Sequence, residues 1–329
     1  MAVLVTGGAG YIGSVAARAL LAAGERVCVL DDYSTGHRPV AAVLPDAEFV
    51  EGDCGDPACL RDLLAHRSVD AVMHFAARTL VSESMERPLD YVKCNLTGTL
   101  TLLDEMMRAR VPYFIFSSSA ATFGVAERVP IDETHPQRPI NPYGWSKRAV
   151  EELLPYLQRL GGPTYIGLRY FNAAGASSDA RLGEVHDPET HLIPNLLRAA
   201  LDGSSFSLFG TDYPTRDGTC ERDFIHVEDL AAAHLDALRA LRTSAASGFY
   251  NLGNGDTYSI REVIAIAREV TGRPIDVRER PRRPGDPPVL VASSERIRNE
   301  LDWQPARQHV RTIIEDAWRF MRSHPRGYD

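Results

Sequence analysis

The chain reads as an α/β fold, a doubly wound parallel sheet of the Rossmann type with a smaller C-terminal α/β substrate-binding lobe. Three observations predict it. A short apolar run, Ala2-Val3-Leu4-Val5, meets the glycine-rich turn Thr6-Gly7-Gly8-Ala9-Gly10-Tyr11-Ile12-Gly13 and then an Ala/Leu-rich helix ending near Gly24. Apolar runs of strand length then alternate with helical patterns as far as Asn172, as parallel strands joined by crossover helices require. After Ala173-Ala174-Gly175 the alternation breaks into shorter segments rich in Gly, Pro and Arg. The expected organisation is a dinucleotide-binding domain over residues 1–175, to which later segments return, and a ligand-binding lobe spanning mainly 176–329.

At the first turn, Gly7, Gly10 and Gly13 are spaced by three, and Gly8, Gly10 and Gly13 also satisfy G-x-G-x-x-G. Missing Cβ atoms let the backbone turn tightly and approach a pyrophosphate, which then rests on the helix N-terminus. The second strand, Arg26-Val27-Cys28-Val29-Leu30, ends in Asp31-Asp32. That lies roughly ~20 residues past the glycines, where a carboxylate binds adenosine ribose hydroxyls and repels a 2′-phosphate. The expected cofactor is therefore NAD, not NADP.

Glu48-Phe49-Val50 is the third strand and leads to Gly52-Asp53-Cys54 and a helix around Leu60 to Leu64. Asp53 is compatible with an acceptor for the adenine amino group and equally with a helix N-cap. The fourth strand, Asp70 to His74, runs into Phe75-Ala76-Ala77, small residues that suit close approach of a cofactor or simple packing. His74 reads as a packed strand residue. A long helix is expected from Pro88 to about Arg110; Asn95 within it is locally unfavourable, which leaves a polar role near the cofactor or plain exposure.

The fifth strand, Tyr113-Phe114-Ile115-Phe116, places Ser117-Ser118-Ser119 at its C-terminal end, where sheets of this kind present ligands. Next comes Asn141-Pro142-Tyr143-Gly144-Trp145-Ser146-Lys147, followed by a helical run. Tyr143 and Lys147, four apart, share one helix face. A Tyr hydroxyl, with a pKa near ~10, is a poor base at neutral pH unless a nearby cation favours the phenolate. Ser119 can share a hydrogen bond with the same substrate oxygen. The spacing alone fits an ordinary surface pair equally well. Pro155 is expected to kink this helix or end it early. A sixth strand follows, Thr164 to Asn172, and helices are expected from about Ile260 to Val270 and Val310 to Met321. Arg222 and the turn Arg282-Arg283-Pro284-Gly285-Asp286 are candidates for diphosphate contacts, although for any single arginine solvated surface is the better reading.

The bulk numbers narrow the function. With 36 basic against 44 acidic residues, net charge −8, no nucleic acid or anionic membrane is expected as partner. Cys28, Cys54, Cys59, Cys94 and Cys220 form no metal-ligand spacing and leave an odd count, so reduced thiols and no metal are expected. No signal-peptide pattern or bilayer-length apolar run is present, and a soluble, cytoplasmic protein is the expectation.

Across nearly its whole length the chain resembles the extended short-chain dehydrogenase/reductase superfamily, and within it the UDP-glucose (UDP-galactose) 4-epimerase family. The resemblance is carried by Val3 to Ser14, Phe114-Ile115-Phe116-Ser117-Ser118-Ser119-Ala120, Leu168-Arg169-Tyr170-Phe171-Asn172, Phe209-Gly210-Thr211-Asp212-Tyr213-Pro214-Thr215, Arg222-Asp223-Phe224-Ile225-His226-Val227 and Tyr250-Asn251-Leu252-Gly253. It implies that Ser119, Tyr143 and Lys147 are catalytic. It implies that Tyr11, Ile12, Asp31, Asp32, Tyr33, Ser34, Thr35, Gly36, Asp53, Cys54, Phe75, Ala76, Ala77, Asn95 and Phe171 line NAD, along with the catalytic residues. It assigns Asn172, His191, Leu192, Ser207, Leu208, Phe209, Arg222 and the stretch Arg283 to Asp286 to a UDP-sugar. The implied reaction is 4-epimerisation through a 4-keto sugar with retained NAD, in a homodimer.

Several positions depart from the family pattern. Arg78-Thr79 stand where a lysine is common, and Arg78 is the substitute cation. His191 replaces an asparagine, and Leu290 stands where some members carry a tyrosine that narrows the sugar pocket, which would admit N-acetylated sugars. Ala120-Ala121 occupy the place where 4,6-dehydratases carry an Asp-Glu pair, so dehydration is disfavoured. Epimerisation of UDP-glucuronate or a UDP-pentose, and a non-catalytic NAD-binding scaffold, remain as alternatives.

Overall fold

A computed structural model describes residues 1–244, 247–283 and 286–328. Its centre is a parallel sheet of seven strands. In chain order these are β1 (Ala2–Thr6), β2 (Arg26–Asp31), β3 (Glu48–Glu51), β4 (Val69–His74), β5 (Tyr113–Ser119), β6 (Thr164–Tyr170) and a last strand, Gly248–Leu252. The spatial order is β3-β2-β1-β4-β5-β6 and then Gly248–Leu252. The chain winds outward from β1 through β2 to β3 and then crosses to β4 on the other side of β1, so the winding reverses between β1 and β4. A crevice opens at the carboxyl ends of those two strands.

Alternation along each strand feeds two cores. Val3 and Val5 pack with Val15, Leu20, Leu230 and Leu238 on one face, whereas Leu4, Phe114 and Phe116 pack with Leu60, Leu102, Val150 and Leu154 on the other. The side-chain period of two sends successive residues to opposite faces, and both faces are covered by helices. The helix Val227–Ser244 packs against the helix Tyr11–Ala22, and Gly248–Leu252 pairs with β6. Segments beyond residue 175 therefore complete the sheet.

A third core builds the lobe. Ile193, Leu196 and Leu197 from the helix Leu192–Asp202, Val263 and Ile264 from Ile260–Thr271, and Ile313 and Ile314 from Val310–Ser323 bury together with Phe206 and Leu208. Strand Ser205–Phe209 pairs in parallel with Asp276–Arg280. Ser259 accepts from the Glu262 amide while Glu262 accepts from the Ser259 amide, a reciprocal cap that starts the middle helix sharply.

Three local expectations change. The helix carrying Tyr143 runs from Pro142 to Arg159 without ending at Pro155. Leu154 is buried, and the Leu160, Gly161 and Gly162 amides close the last carbonyls at Tyr156, Leu157 and Gln158, so packing and capping outweigh the one hydrogen bond that Pro155 removes. The stretch from Pro88 is not one α-helix. It is a helical turn, Pro88–Tyr91, a π-helical segment, Val92–Gly98, and an α-helix, Thr99–Ala109. Finally, β6 stops at Tyr170, and Asn172–Ala174 forms a separate strand paired with Phe224–His226.

Candidate active site

The glycine turn sits in the crevice at the reversal point. Gly7 has φ +73°, and a Cβ there would lie 2.5 Å from the Ala76 nitrogen; on Gly13 it would lie 2.2 Å from the Gly7 carbonyl oxygen. Only glycine permits this approach of β1's end, β4's end and the helix start. At Gly10 a Cβ would meet only the Gly7 oxygen, at 3.3 Å, so that side of the turn is an open cradle. Gly10 is also the N-cap of the helix Tyr11–Ala22, which no side chain caps and whose first turn carries no acid. Free amides at a helix N-terminus, in an open cradle and with no competing carboxylate, fit a pyrophosphate.

Asp31, the last residue of β2, accepts from the Ala9 amide through Oδ2 and from the Tyr33 amide through Oδ1, each at 2.9 Å. Burial raises its carboxyl pKa and the two amides oppose that. Each oxygen keeps a lone pair for a ribose hydroxyl, and the carboxylate excludes a 2′-phosphate. Tyr33 takes a left-handed backbone, φ +56°, under the Arg38 guanidinium at 4.2 Å. Asp32 accepts from the Ser34 amide and hydroxyl; Ser34 and Thr35 are exposed and Gly36 half-buried. Asp53 is exposed and accepts from the Gly55 amide at 2.7 Å. The helix N-cap is Asp56, not Asp53. The Tyr11 hydroxyl donates to the Gly175 carbonyl at 2.7 Å. Ile12, Cys54, Phe75, Ala76, Ala77 and Phe171 are half-buried, and the Phe75 ring lies 4.6 Å from that of His234.

Asn95 is buried in the π-helical segment. Its Oδ1 accepts from the Arg78 amide at 2.8 Å, and its Nδ2 donates to the Arg78 carbonyl and to Ser146 Oγ. It therefore clamps the chain after β4 to the Tyr143 helix. Arg78, expected from the sequence as a substitute cation, is paired with Glu83 at 3.3 Å.

The three residues at the centre are all buried: Ser119 at 9% exposure, Tyr143 at 8% and Lys147 at 3%. Ser119 ends β5 and accepts from the Ala121 amide at 3.1 Å. Asn141 starts the helix by accepting from the Gly144 amide, and this N-cap sets the first turn on which Tyr143 stands. Burial raises the Tyr143 pKa, with the neighbouring Ser119 hydroxyl opposing. Burial lowers that of Lys147 to about 8. The Lys147 ammonium donates to the Ser117 carbonyl at 2.9 Å and lies 5.0 Å from the Phe116 ring centre. The net shift at Tyr143 is thus upward, because burial outweighs the Ser119 hydrogen bond; the acidifying effect expected of Lys147 is not among its causes, and the Lys147 ammonium is held by the Ser117 carbonyl.

One supporting pair escaped the sequence reading. Glu151, 2% exposed, takes three hydrogen bonds from Arg169 at 2.7–3.1 Å. It also accepts from Ser118 Oγ and from Gln137 Nε2 at 2.7 Å. The Tyr143 helix is thereby locked onto β5 and β6. A signal was available: Tyr143, Lys147 and Glu151 repeat every four residues, and Arg169 interrupts an apolar strand.

In the lobe, Arg283 lies over the Phe209 ring at 3.9 Å. Arg222 donates to the Pro287 carbonyl at 2.9 Å, faces Asp286 at 3.5 Å and is the ladder partner of Leu290. Asn172 Nδ2 donates to the Asp223 carbonyl at 2.7 Å, next to Arg222. These residues form one group, while Pro284 and Gly285 lie outside the described residues. Ser207 is half-buried, but the Leu208 side chain points into the lobe core, leaving only its backbone for a ligand. Leu192 opens the helix Leu192–Asp202, and His191 is its N-cap. His191 faces Glu184 and Glu189, and His186 stands beside them. No metal ligands were expected from the sequence; the fold brings these four groups within 4.8 Å of one another.

An uncapped glycine cradle at the reversal point, a buried acid at the end of β2 suited to a ribose and a buried Ser-Tyr-Lys set shared by the end of β5 and the helix Pro142–Arg159 fit a dinucleotide-dependent enzyme. The model of the NAD dependent epimerase/dehydratase family matches residues 3–253. UDP-glucose 4-epimerase from Lactobacillus helveticus is 48% identical over 330 aligned positions, covering 100% of this chain and 99% of that protein. The Streptomyces lividans enzyme of the same name is 48% identical, covering 99% and 98%. A crystal structure of a UDP-glucose 4-epimerase superimposes with TM-score 0.97 at 45% identity over 100% of both chains. The Bifidobacterium longum UDP-glucose 4-epimerase, solved with NAD+ and UDP, superimposes with TM-score 0.94 at 34% identity over 99% of this chain and 100% of that one. The chain belongs to the NAD-dependent UDP-glucose 4-epimerase family. Among the described residues no helix is long and apolar enough to cross a membrane.

Proposed function

We propose that the enzyme interconverts UDP-galactose and UDP-glucose by oxidation and re-reduction at the sugar C4, with Ser119, Tyr143 and Lys147 as its catalytic residues. The observation that carries this reading is Tyr143 itself, a buried phenol beside Ser119 at the carboxyl end of β5. When bound, NAD supplies a reversible hydride acceptor for C4 and the positive charge of its oxidised ring. As hydride leaves C4, Tyr143 takes the 4-hydroxyl proton, and a 4-keto sugar results. After the sugar turns, hydride returns to the opposite face and Tyr143 returns the proton. A hydride and one proton leave and come back, so no external oxidant is consumed. Ser119 holds the reacting oxygen by a hydrogen bond. Lys147, tethered to the Ser117 carbonyl, keeps further N–H donors for the nicotinamide ribose and a charge that favours the phenolate. Arg222, Arg283 and their neighbours supply diphosphate and uridine contacts.

Incubation of the purified protein with UDP-galactose, without added NAD, should form UDP-glucose. Tyr143→Phe should lower turnover by about 10²–10⁴-fold, the range for a general acid/base. An unchanged rate would remove Tyr143 from the chemistry. Leu290, half-buried beside Arg222, supports a second reading in which N-acetylated UDP-sugars are also accepted; absence of UDP-N-acetylglucosamine turnover by an enzyme active on UDP-galactose would refute it. A homodimer is part of the proposal. Trp145 and Tyr156, 48% and 61% exposed, lie about three turns apart on one face of the Tyr143 helix, and a monomeric mass by sedimentation would exclude that pairing.

A further inference from the structure

We propose that Glu184, His186, Glu189 and His191 form a structural site for a divalent transition ion of the zinc class. The four residues come from a single eight-residue segment with the pattern Glu-x-His-x-x-Glu-x-His. One ligand atom from each lies within 4.8 Å of the others. His191 Nδ1 is 2.9 Å from Glu184 Oε1 and 2.8 Å from Glu189 Oε1. His186 Nδ1 is 3.3 Å from Glu184 Oε1 and 3.6 Å from Glu189 Oε2. Tetrahedral zinc with bonds near ~2.0–2.1 Å needs ligand atoms about 3.3 Å apart; His186 Nδ1 to Glu184 Oε1 and to Glu189 Oε2, and His191 Nδ1 to Glu184 Oε1, at 3.3, 3.6 and 2.9 Å, lie around that value.

A second observation points to a missing ligand. His186 Nδ1 and Glu189 Oε2 are buried and have no hydrogen-bond partner, although the Glu189 side chain is 1% exposed. Two buried polar atoms facing each other without a bond are costly. An ion between them would satisfy both. Glu189 is already oriented for this, because its Oε1 accepts the Thr190 and His191 amides at 2.8 Å each and leaves Oε2 as the ligand. Hydrogen bonds that hold the ligand-bearing backbone in place are present as well. Asn195 Nδ2 donates to the Glu189 and His191 carbonyls; His37 Nε2 bonds the Val185 carbonyl at 3.0 Å.

Two imidazoles and two carboxylates suit zinc and its neighbours, not magnesium, which prefers oxygen ligands in an octahedron. Four protein ligands close the site, so its role is structural and not Lewis-acid chemistry. The ion would pin the segment between the His37 contact and the helix Leu192–Asp202. With Nδ1 of His191 on the ion, its Nε2 is fixed as an N–H donor.

The test uses full-length protein stripped with a chelator and returned to metal-free buffer. Titration with Zn²⁺ followed by calorimetry should show one ion per chain. Co²⁺ should give the intense visible absorption of a tetrahedral site, displaced by Zn²⁺, and Mg²⁺ should neither bind nor displace it. Glu189→Gln, which keeps the Oε1 acceptor, should weaken Zn²⁺ binding by more than about 100-fold, since losing even an outer-shell partner costs about 10–100-fold. No saturable Zn²⁺ binding by the wild type, or a Co²⁺ spectrum without tetrahedral intensity, would overturn the proposal and leave a proton-bridged cluster. So would wild-type affinity in Glu189→Gln.

Discussion

Replacing Glu151 by leucine tests whether the buried Glu151–Arg169 pair is what holds the catalytic helix on the sheet. The pair is almost solvent-free, with side-chain exposures of 2% and 6%, so solvent does not screen it. Removing Glu151 leaves the Arg169 guanidinium buried without its three bonds and strands Ser118 and Gln137 as well. Breaking one side of such a pair costs about 3–5 kcal/mol. Unfolding entropy near ~2.1 cal/mol/K per residue, over 329 residues, converts that to a fall in Tm of about 4–7 °C. Calorimetry on NAD-saturated protein reads it. The double variant Glu151→Leu/Arg169→Leu removes both charges and fills the space, and it should recover at least about 1 kcal/mol relative to Glu151→Leu alone. Strict additivity of the two single losses would show that the pair is not a unit and that the helix is held by apolar packing instead.

Further predictions concern the cradle, the lysine and the clamp. Gly13→Ala places a Cβ 2.2 Å from the Gly7 carbonyl oxygen; overpacking of that kind costs about 1–3 kcal/mol or more, and the purified variant should carry little NAD by absorbance of the released cofactor. Lys147, lowered by burial to about 8, titrates near ~10.4 when unfolded. Between those values the unfolded chain binds more protons, so the wild type should gain stability relative to Lys147→Met as pH rises from about 8 to about 10.4, by up to ~1.36 kcal/mol per unit. A difference independent of pH, from denaturant titrations across that window, would contradict a Lys147 pKa lowered by burial. Asn95→Ala frees both backbone groups of Arg78 and should destabilise by about 1–3 kcal/mol while raising the KM for UDP-galactose more than it lowers kcat.

Much of the fold was legible locally, because its signals are local. Strand and helix periods and the Gly7-Gly10-Gly13 spacing each depend on neighbours within one turn or strand. For the same reason Asp31 and Ser119 could be placed at strand ends before any coordinates. The departures came where a distant contact overrides a local preference. Pro155 stays helical because Leu154 is buried and the last turn is capped, and Asn95 sits in a π-helical segment because Arg78 and Ser146 supply its partners. Spacing singles out Glu151 and Arg169 one at a time, but that they face each other depends on how β5 and β6 lie beneath the helix.

The sequence by itself determined the parallel αβ winding and the glycine turn at its reversal point, through spacing within single elements, while the expected roles of Asp31 and of the Ser-Tyr-Lys set rested on its likeness to a family. Only the tertiary structure decided the protonation balance of Tyr143 and Lys147, the partners of Arg78 and Arg222, and the meeting of Glu184, His186, Glu189 and His191. Burial and charge pairing depend on which elements lie side by side in three dimensions, and that is a property of the packed fold.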